Sequence, residues 1–151
     1  MEQIIQLNNQ AKLSEHFVLG EFTKSSSHPE IYNIPSHEAI ANLKRLCFWL
    51  EVLRERSGGP VRINSGYRSP QLNRAIHGNA NSNHMTGCAC DIRVSGMEQA
   101  LRYAVILMDY ADDSKQEFDE LLIEKNRYGA IWVHFAVRPK DNRRKILFIN
   151  A

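Results

Sequence analysis

The chain has 151 residues, 43% hydrophobic and 24% charged, enough to bury one core and too few for two ordinary domains. A formal charge of +2 is too small for an electrostatically driven nucleic-acid groove, and the basic residues are scattered apart from Arg143, Arg144 and Lys145. Three cysteines, Cys47, Cys88 and Cys90, are an odd number, and two of them stand one residue apart, which argues against a disulfide framework.

In chain order, MEQIIQLNNQ carries an early acidic residue and soon turns polar. It lacks the basic flank and apolar run of an export signal, and no later run is long enough to span a membrane, so the expectation is a chain made in the cytoplasm. Residues 1–15 read as an irregular extension of a single domain over residues 1–151. LGEFTKSSSHPE suggests a short helix ending in a serine-rich loop. From Ser36 to Ser57, Ile40, Leu43, Leu46, Cys47, Leu50 and Leu53 recur at helical spacing, with Ser36 as N-cap, Glu38 in the first turn and Gly58, Gly59 and Pro60 as the stop. VRIN alternates as a short strand. Ser69 followed by Pro70 opens a second helix through about His77, and HGNANSN follows as a loop.

Residues 89–94 predict a strand with Asp91 and Arg93 on one face and Ile92 and Val94 on the other. Ser95 is expected to cap the next helix, with Met97, Leu101, Ala104, Val105 and Met108 as its buried stripe. FDELLIE and AIWVHFAV then read as strands on either side of the turn-prone KNRYG, and KILFI as a last strand. Helices first and a largely antiparallel sheet afterwards make the fold class α+β.

The stretch SNHMTGCACDI, residues 82–92, gathers a histidine, two cysteines and an aspartate. Zinc takes about four ligands from such side chains, and a catalytic site leaves one of roughly four positions to water, so three protein ligands suffice. His84 in the loop and Asp91 in the strand can meet if the chain reverses between them. The best third candidate is His134, on the strand face of Trp132 and Ala136, while Ile131, Val133, Phe135 and Val137 make the opposite, core-facing side. A structural site of His84, Cys88, Cys90 and His134 is chemically sensible as well, although strand alternation turns Cys90 away from Asp91. Two imidazoles and a carboxylate also suit iron or manganese.

INSGYRSPQLNRAIHGNANSNHMTGCACDI, followed downstream by FDELLIE and WVHFA, resembles the zinc peptidases of family M15, the D-alanyl-D-alanine carboxypeptidase-like group that includes phage cell-wall endopeptidases and vancomycin-resistance dipeptidases. The signature of that family runs S-G-Y-R-S, then S-x-H-x-x-G-x-A-x-D, then W-V-H or W-H, and each fixed position is present. The similarity extends from GEFTKS through NRRKIL. It implies one zinc ion held by His84, Asp91 and His134, and it makes Cys88 and Cys90 bystanders at variable positions of the second motif.

Hydrolysis also needs a carboxylate to take a proton from the attacking water. Many family members place one three residues before the last histidine, where this chain has Ile131 on the core side. The candidates move to the preceding strand, in which Asp119 and Glu124 have opposite parity, so a regular strand aims only one of them at the metal. With a hairpin about NRYG, Glu124 is expected opposite His134, roughly 4.5–5.5 Å away at Cβ, and is assigned as the base. Asp119 then reads as a turn or strand-start residue. The zinc-containing hedgehog signalling domain, a relative of this fold, is similar in the same strand.

The resemblance further makes Arg68 the cation that steadies an oxyanion or holds substrate, a role its planar donors suit, and Ser82 a hydrogen-bonding partner of substrate. Read from the residues alone, Arg68 pins a loop and Ser82 bonds its own backbone. Trp132 is expected to wall the site and Trp49 to be core. The implied activity is zinc-dependent hydrolysis of peptidoglycan stem peptides, at a terminal D-alanyl-D-alanine or an internal bond. The implied actor is a monomer with no nucleic-acid partner and no membrane insertion, delivered to the wall like a phage or prophage lysis enzyme. The competing expectation is a zinc-stabilised module that binds wall peptide or a protein without cutting, which Ile131 favours.

Overall fold

The computed structural model describes residues 8–25 and 27–150, so the expected extension over residues 1–15 lies partly outside the described residues. What is described of it is tied down: Lys12 bridges Val18, Leu13 and Phe17 are buried, and Ser14 Oγ donates to Glu51 Oε2 at 2.6 Å. A one-turn helix, α1 (Gly20–Thr23), follows. The long helix α2 (His37–Ser57) begins where Ser36 Oγ accepts the Ala39 N–H at 3.1 Å, and ends where Gly58 takes a left-handed φ of 77°. Its inward stripe of Leu43, Leu46, Cys47, Leu50 and Leu53 is fully buried.

Strand β1 is Ile63–Ser65, shorter and later than VRIN predicts, and α3 (Pro70–Ala75) is capped by Ser69, whose Oγ accepts from Leu72 N–H at 3.1 Å. The expected loop after it holds a single 3-10 turn, Asn83–Thr86. Helix α4 (Met97–Ser114) departs from expectation in two ways. Gly96, not Ser95, occupies the N-cap position, and the Ser95 N–H donates instead to Gln99 Oε1 at 2.7 Å. The buried face is Ala100, Tyr103, Ala104, Leu107 and Ala111, while Leu101 and Val105 remain about half exposed. Alanines at 100, 104 and 111 let the helix approach α2 and the sheet closely, so the small residues mark the contact line and the larger aliphatics flank it.

Strands β2 (Ala89–Arg93), β3 (Glu120–Lys125), β4 (Ile131–Ala136) and β5 (Lys145–Asn150) complete one five-stranded sheet in the order β1-β2-β4-β3-β5. All neighbours are antiparallel except β5, which runs parallel to β3 along the outer edge. The architecture is α+β with a mostly antiparallel sheet, as the order of elements implies. One face, carrying Cys90, Ile92, Leu121, Ile123, Val133 and Phe135, packs into the core beneath α2 and α4. Trp49 anchors it, with ring centroids 4.9 Å from Tyr110 and 5.5 Å from Phe135. The other face carries polar groups. No helix among the described residues is long and apolar enough to cross a membrane.

The segment between β1 and α3 is clamped from both sides. Tyr67 N–H donates to Phe22 O at 2.7 Å, Arg68 N–H donates to His84 O at 3.0 Å, and Asn33 Nδ2 donates to Tyr67 O at 2.8 Å. Gly66 is required there, since a Cβ would come within 2.7 Å of Phe22 backbone atoms. Gly66→Ala is therefore expected to lower stability by about 1–3 kcal/mol, read as a fall in the urea midpoint at unchanged m-value.

Candidate metal centre

The pairing of β2 with β4 sets Asp91 directly opposite His134. Asp91 Oδ1 lies 3.1 Å from His134 Nδ1 and 3.5 Å from His84 Nε2, which enters from the 3-10 turn. Among the described residues, His84, Asp91 and His134 are a group whose ligating atoms all lie within 4.8 Å of one another. Both histidines are buried. The His84 Nδ1 stands 2.6 Å from the Gly66 carbonyl, which can only accept, so Nδ1 bears a proton and Nε2 is the nitrogen that faces Asp91 and is left for an ion. Two imidazoles and one carboxylate converging at the floor of a cleft of about 620 Å³ fit a zinc ion with a position left for solvent.

The cysteines stay out of this group. Cys47, Cys88 and Cys90 are all free and buried, and Cys90 packs into the core on the opposite face of β2. A site of His84, Cys88, Cys90 and His134 is therefore not assembled.

Charge follows geometry. Burial opposes ionisation of Asp91, but the nearby His84 and the hydrogen bonds from both histidines outweigh it and hold the carboxyl far below its usual range. Burial likewise opposes a charge on His134, yet hydrogen bonds to Asp91 and Glu120 lift its pKa to about 9.

The expected base sits differently from prediction. The β3–β4 hairpin closes with Lys125 paired to Ile131, which puts Leu122 opposite His134 and Glu124 opposite Trp132. The loop of residues 126–130 sets this register, with Asn126 N–H donating to Ala130 O at 3.0 Å. Glu124 is thus a diagonal neighbour of His134, on the same face and in the same cleft. Burial, followed by the negative charge of Asp91, raises its pKa above the ordinary carboxylate value. Ile131 packs partly against the core.

Arg68, Ser82 and Trp132 line the cleft as well. Arg68 Nη2 donates to Ser82 Oγ at 3.4 Å, while its Nε is buried without a partner among the described residues. Ser82 Oγ also accepts the His84 N–H at 3.1 Å, so this serine caps the turn that presents His84.

Two further acids stand where β3 begins, Asp119 in the bend just before the strand, as its reading as a turn or strand-start residue has it, and Glu120 as the first residue of the strand. Glu120, which has the parity of Glu124, reaches into the cleft with Oε1 3.0 Å from His134 Nε2, and period-two counting from Glu124 is the signal that locates it. Asp119 is fully buried outside the cleft. Its Oδ1 accepts from Arg143 N–H and Nε at 3.0 Å, and its Oδ2 accepts from Arg143 Nη2 and Asn83 Nδ2 at 2.8 Å, with Arg138 Nε 3.2 Å away. Arg144 is ion-paired too, with Asp112 at 2.7 Å, so the terminal basic residues are spent largely on local acids.

A sequence model of the family described as Peptidase M15 matches residues 15–119. The chain belongs to the peptidase M15 family. Within this M15 peptidase the matched stretch takes in Arg68, Ser82, His84 and Asp91 and stops before β3, so Glu124, Trp132 and His134 lie beyond it. No curated protein matches the chain.

The buried Asp119 network has an acid-stability consequence. Burial opposes its charge, but hydrogen bonds from Arg143 and Asn83 hold the folded-state pKa at about 2. An unfolded aspartate titrates near 3.9, so the ionised network stabilises fully above about pH 4 and its contribution fades as pH falls toward about 2. Asp119→Asn is expected to lose about 2 kcal/mol at neutral pH and to flatten the stability profile between about pH 4 and 2, measured by urea unfolding across that range.

Proposed function

We propose that this chain is a zinc-dependent peptidase of peptidoglycan stem peptides, either a carboxypeptidase releasing a terminal D-alanine or an endopeptidase of the phage type. The convergence of His84, Asp91 and His134 at the floor of a cleft shared with Glu124 and Arg68 carries this reading. Zinc bound there supplies Lewis acidity toward a peptide carbonyl and toward solvent water. Glu124 takes the proton of the attacking water and hands it to the leaving amine. Arg68 meets the developing negative charge on the carbonyl oxygen with paired N–H donors. Ser82 offers a hydroxyl to the peptide backbone and Trp132 an apolar wall.

The chain acts as one unit over residues 1–151 and as a monomer. It is made in the cytoplasm and reaches the wall in the manner of a phage lysin, through a pore supplied by another protein.

Purified zinc-loaded protein incubated with muropeptides is expected to yield D-alanine or peptide fragments by mass spectrometry, lost on chelation and regained with zinc. Untouched muropeptides alongside cleavage of ordinary L-peptides would overturn the substrate class. Tight muropeptide binding with no cleavage would establish the non-catalytic module instead. Glu124→Gln is expected to keep zinc while kcat falls about 10²–10⁴-fold, and turnover at the parent rate removes Glu124 as the base.

A further inference from the structure

His134 stands between two carboxylates, and the one on its far side has no part in the chemistry proposed above. Glu120 Oε1 lies 3.0 Å from His134 Nε2, while Asp91 Oδ1 lies 3.1 Å from His134 Nδ1, on the side that faces His84. Glu120 does not belong to the group of converging ligand atoms. It is instead held in place from behind. Asn83 Nδ2 donates to Glu120 Oε1 at 2.6 Å and to Asp119 Oδ2 at 2.8 Å, and Asn83 Oδ1 accepts from Arg138 Nε at 3.0 Å. Those contacts leave the Asn83 amide one orientation, nitrogen toward the acids and oxygen toward Arg138. Arg143 Nη2 sits 3.6 Å from Glu120 Oε2 and closes the other side.

A neutral imidazole has one N–H, and a coordinating nitrogen must be free of it. We infer that Glu120 is a positioning residue that takes the Nε2–H of His134, leaving the Nδ1 lone pair for the ion. This rests on the metal-centre reading. Asn83 gives the arrangement its reach, because it precedes His84 in the 3-10 turn and bonds Glu120 on β3. The two ligand histidines then present opposite nitrogens, His84 through Nε2 with Gly66 O as its anchor and His134 through Nδ1 with Glu120 as its anchor. A fixed acceptor behind a ligand histidine both selects the tautomer and restrains ring rotation.

Zinc affinity, read by competition with a chromophoric chelator, tests the role without reference to turnover. Glu120→Ala is expected to weaken zinc binding roughly 10–100-fold, whereas Glu120→Gln, whose amide oxygen still accepts from Nε2–H, stays within about three-fold of the parent. Equal affinity in the parent and Glu120→Ala overturns the inference, as does a Glu120→Gln protein as weak as Glu120→Ala. Long-range proton–nitrogen NMR of the zinc-loaded parent decides the matter even if the alanine variant fails to fold. A protonated Nε2 on His134 supports the assignment, and zinc on Nε2 overturns it. A parent that takes up no zinc removes the metal centre itself, a result distinct from a parent that binds zinc indifferently to residue 120.

Discussion

The antiparallel register between β2 and β4 is the constraint on which the site depends. Cys90 pairs with Phe135 and Ile92 with Val133 on the core side, which forces Asp91 and His134 to face each other on the other. A slip of β2 by one residue would drive the aspartate into the core and turn Cys90 and Ile92 out of it, at a cost far above the worth of any single contact. The same apolar alternation that folds the sheet thereby brings a carboxylate and an imidazole together. No separate device is needed for that pair.

The third member of the group, His84, arrives by a different route. His84 is carried by a short turn with little helical stability of its own, and its position comes from hydrogen bonds to neighbours. Its Nδ1 bonds Gly66, its carbonyl accepts from Arg68, and Asn83 beside it bonds Glu120 on β3 and Asp119 just before that strand. The close packing of Gly66 on Phe22 fixes the height of that platform. The S-G-Y-R portion of the motif thus has a mechanical meaning, in which the glycine permits close approach and its carbonyl orients a histidine.

Much of this was legible in the sequence. Helix α2 carries a cap, a long apolar stripe and a glycine stop, all local signals, and the alternation in β2 and β4 separates Asp91 and His134 from the core residues. The turn-dependent details were less legible. The register of the β3–β4 hairpin depends on how many residues the loop takes, so Glu124 lies across from Trp132 and not from His134. The buried edge of α4 differs from the expected stripe because its apolar arc is wide and alanine, with little hydrophobic weight, marks the contact line. Period-two counting puts Glu120 on the face of Glu124, but its contacts with Asn83 and His134, 37 and 14 residues away, arise only in the folded sheet.

Cys47, Cys88 and Cys90 each end inside the fold, and Cys88 and Cys90, though close in sequence, are unpaired. A sulfur without solvent contact offers no purchase to oxidants or to foreign thiols while the native state persists. The folded chain can thus pass between reducing and oxidising surroundings without gaining or losing a crosslink.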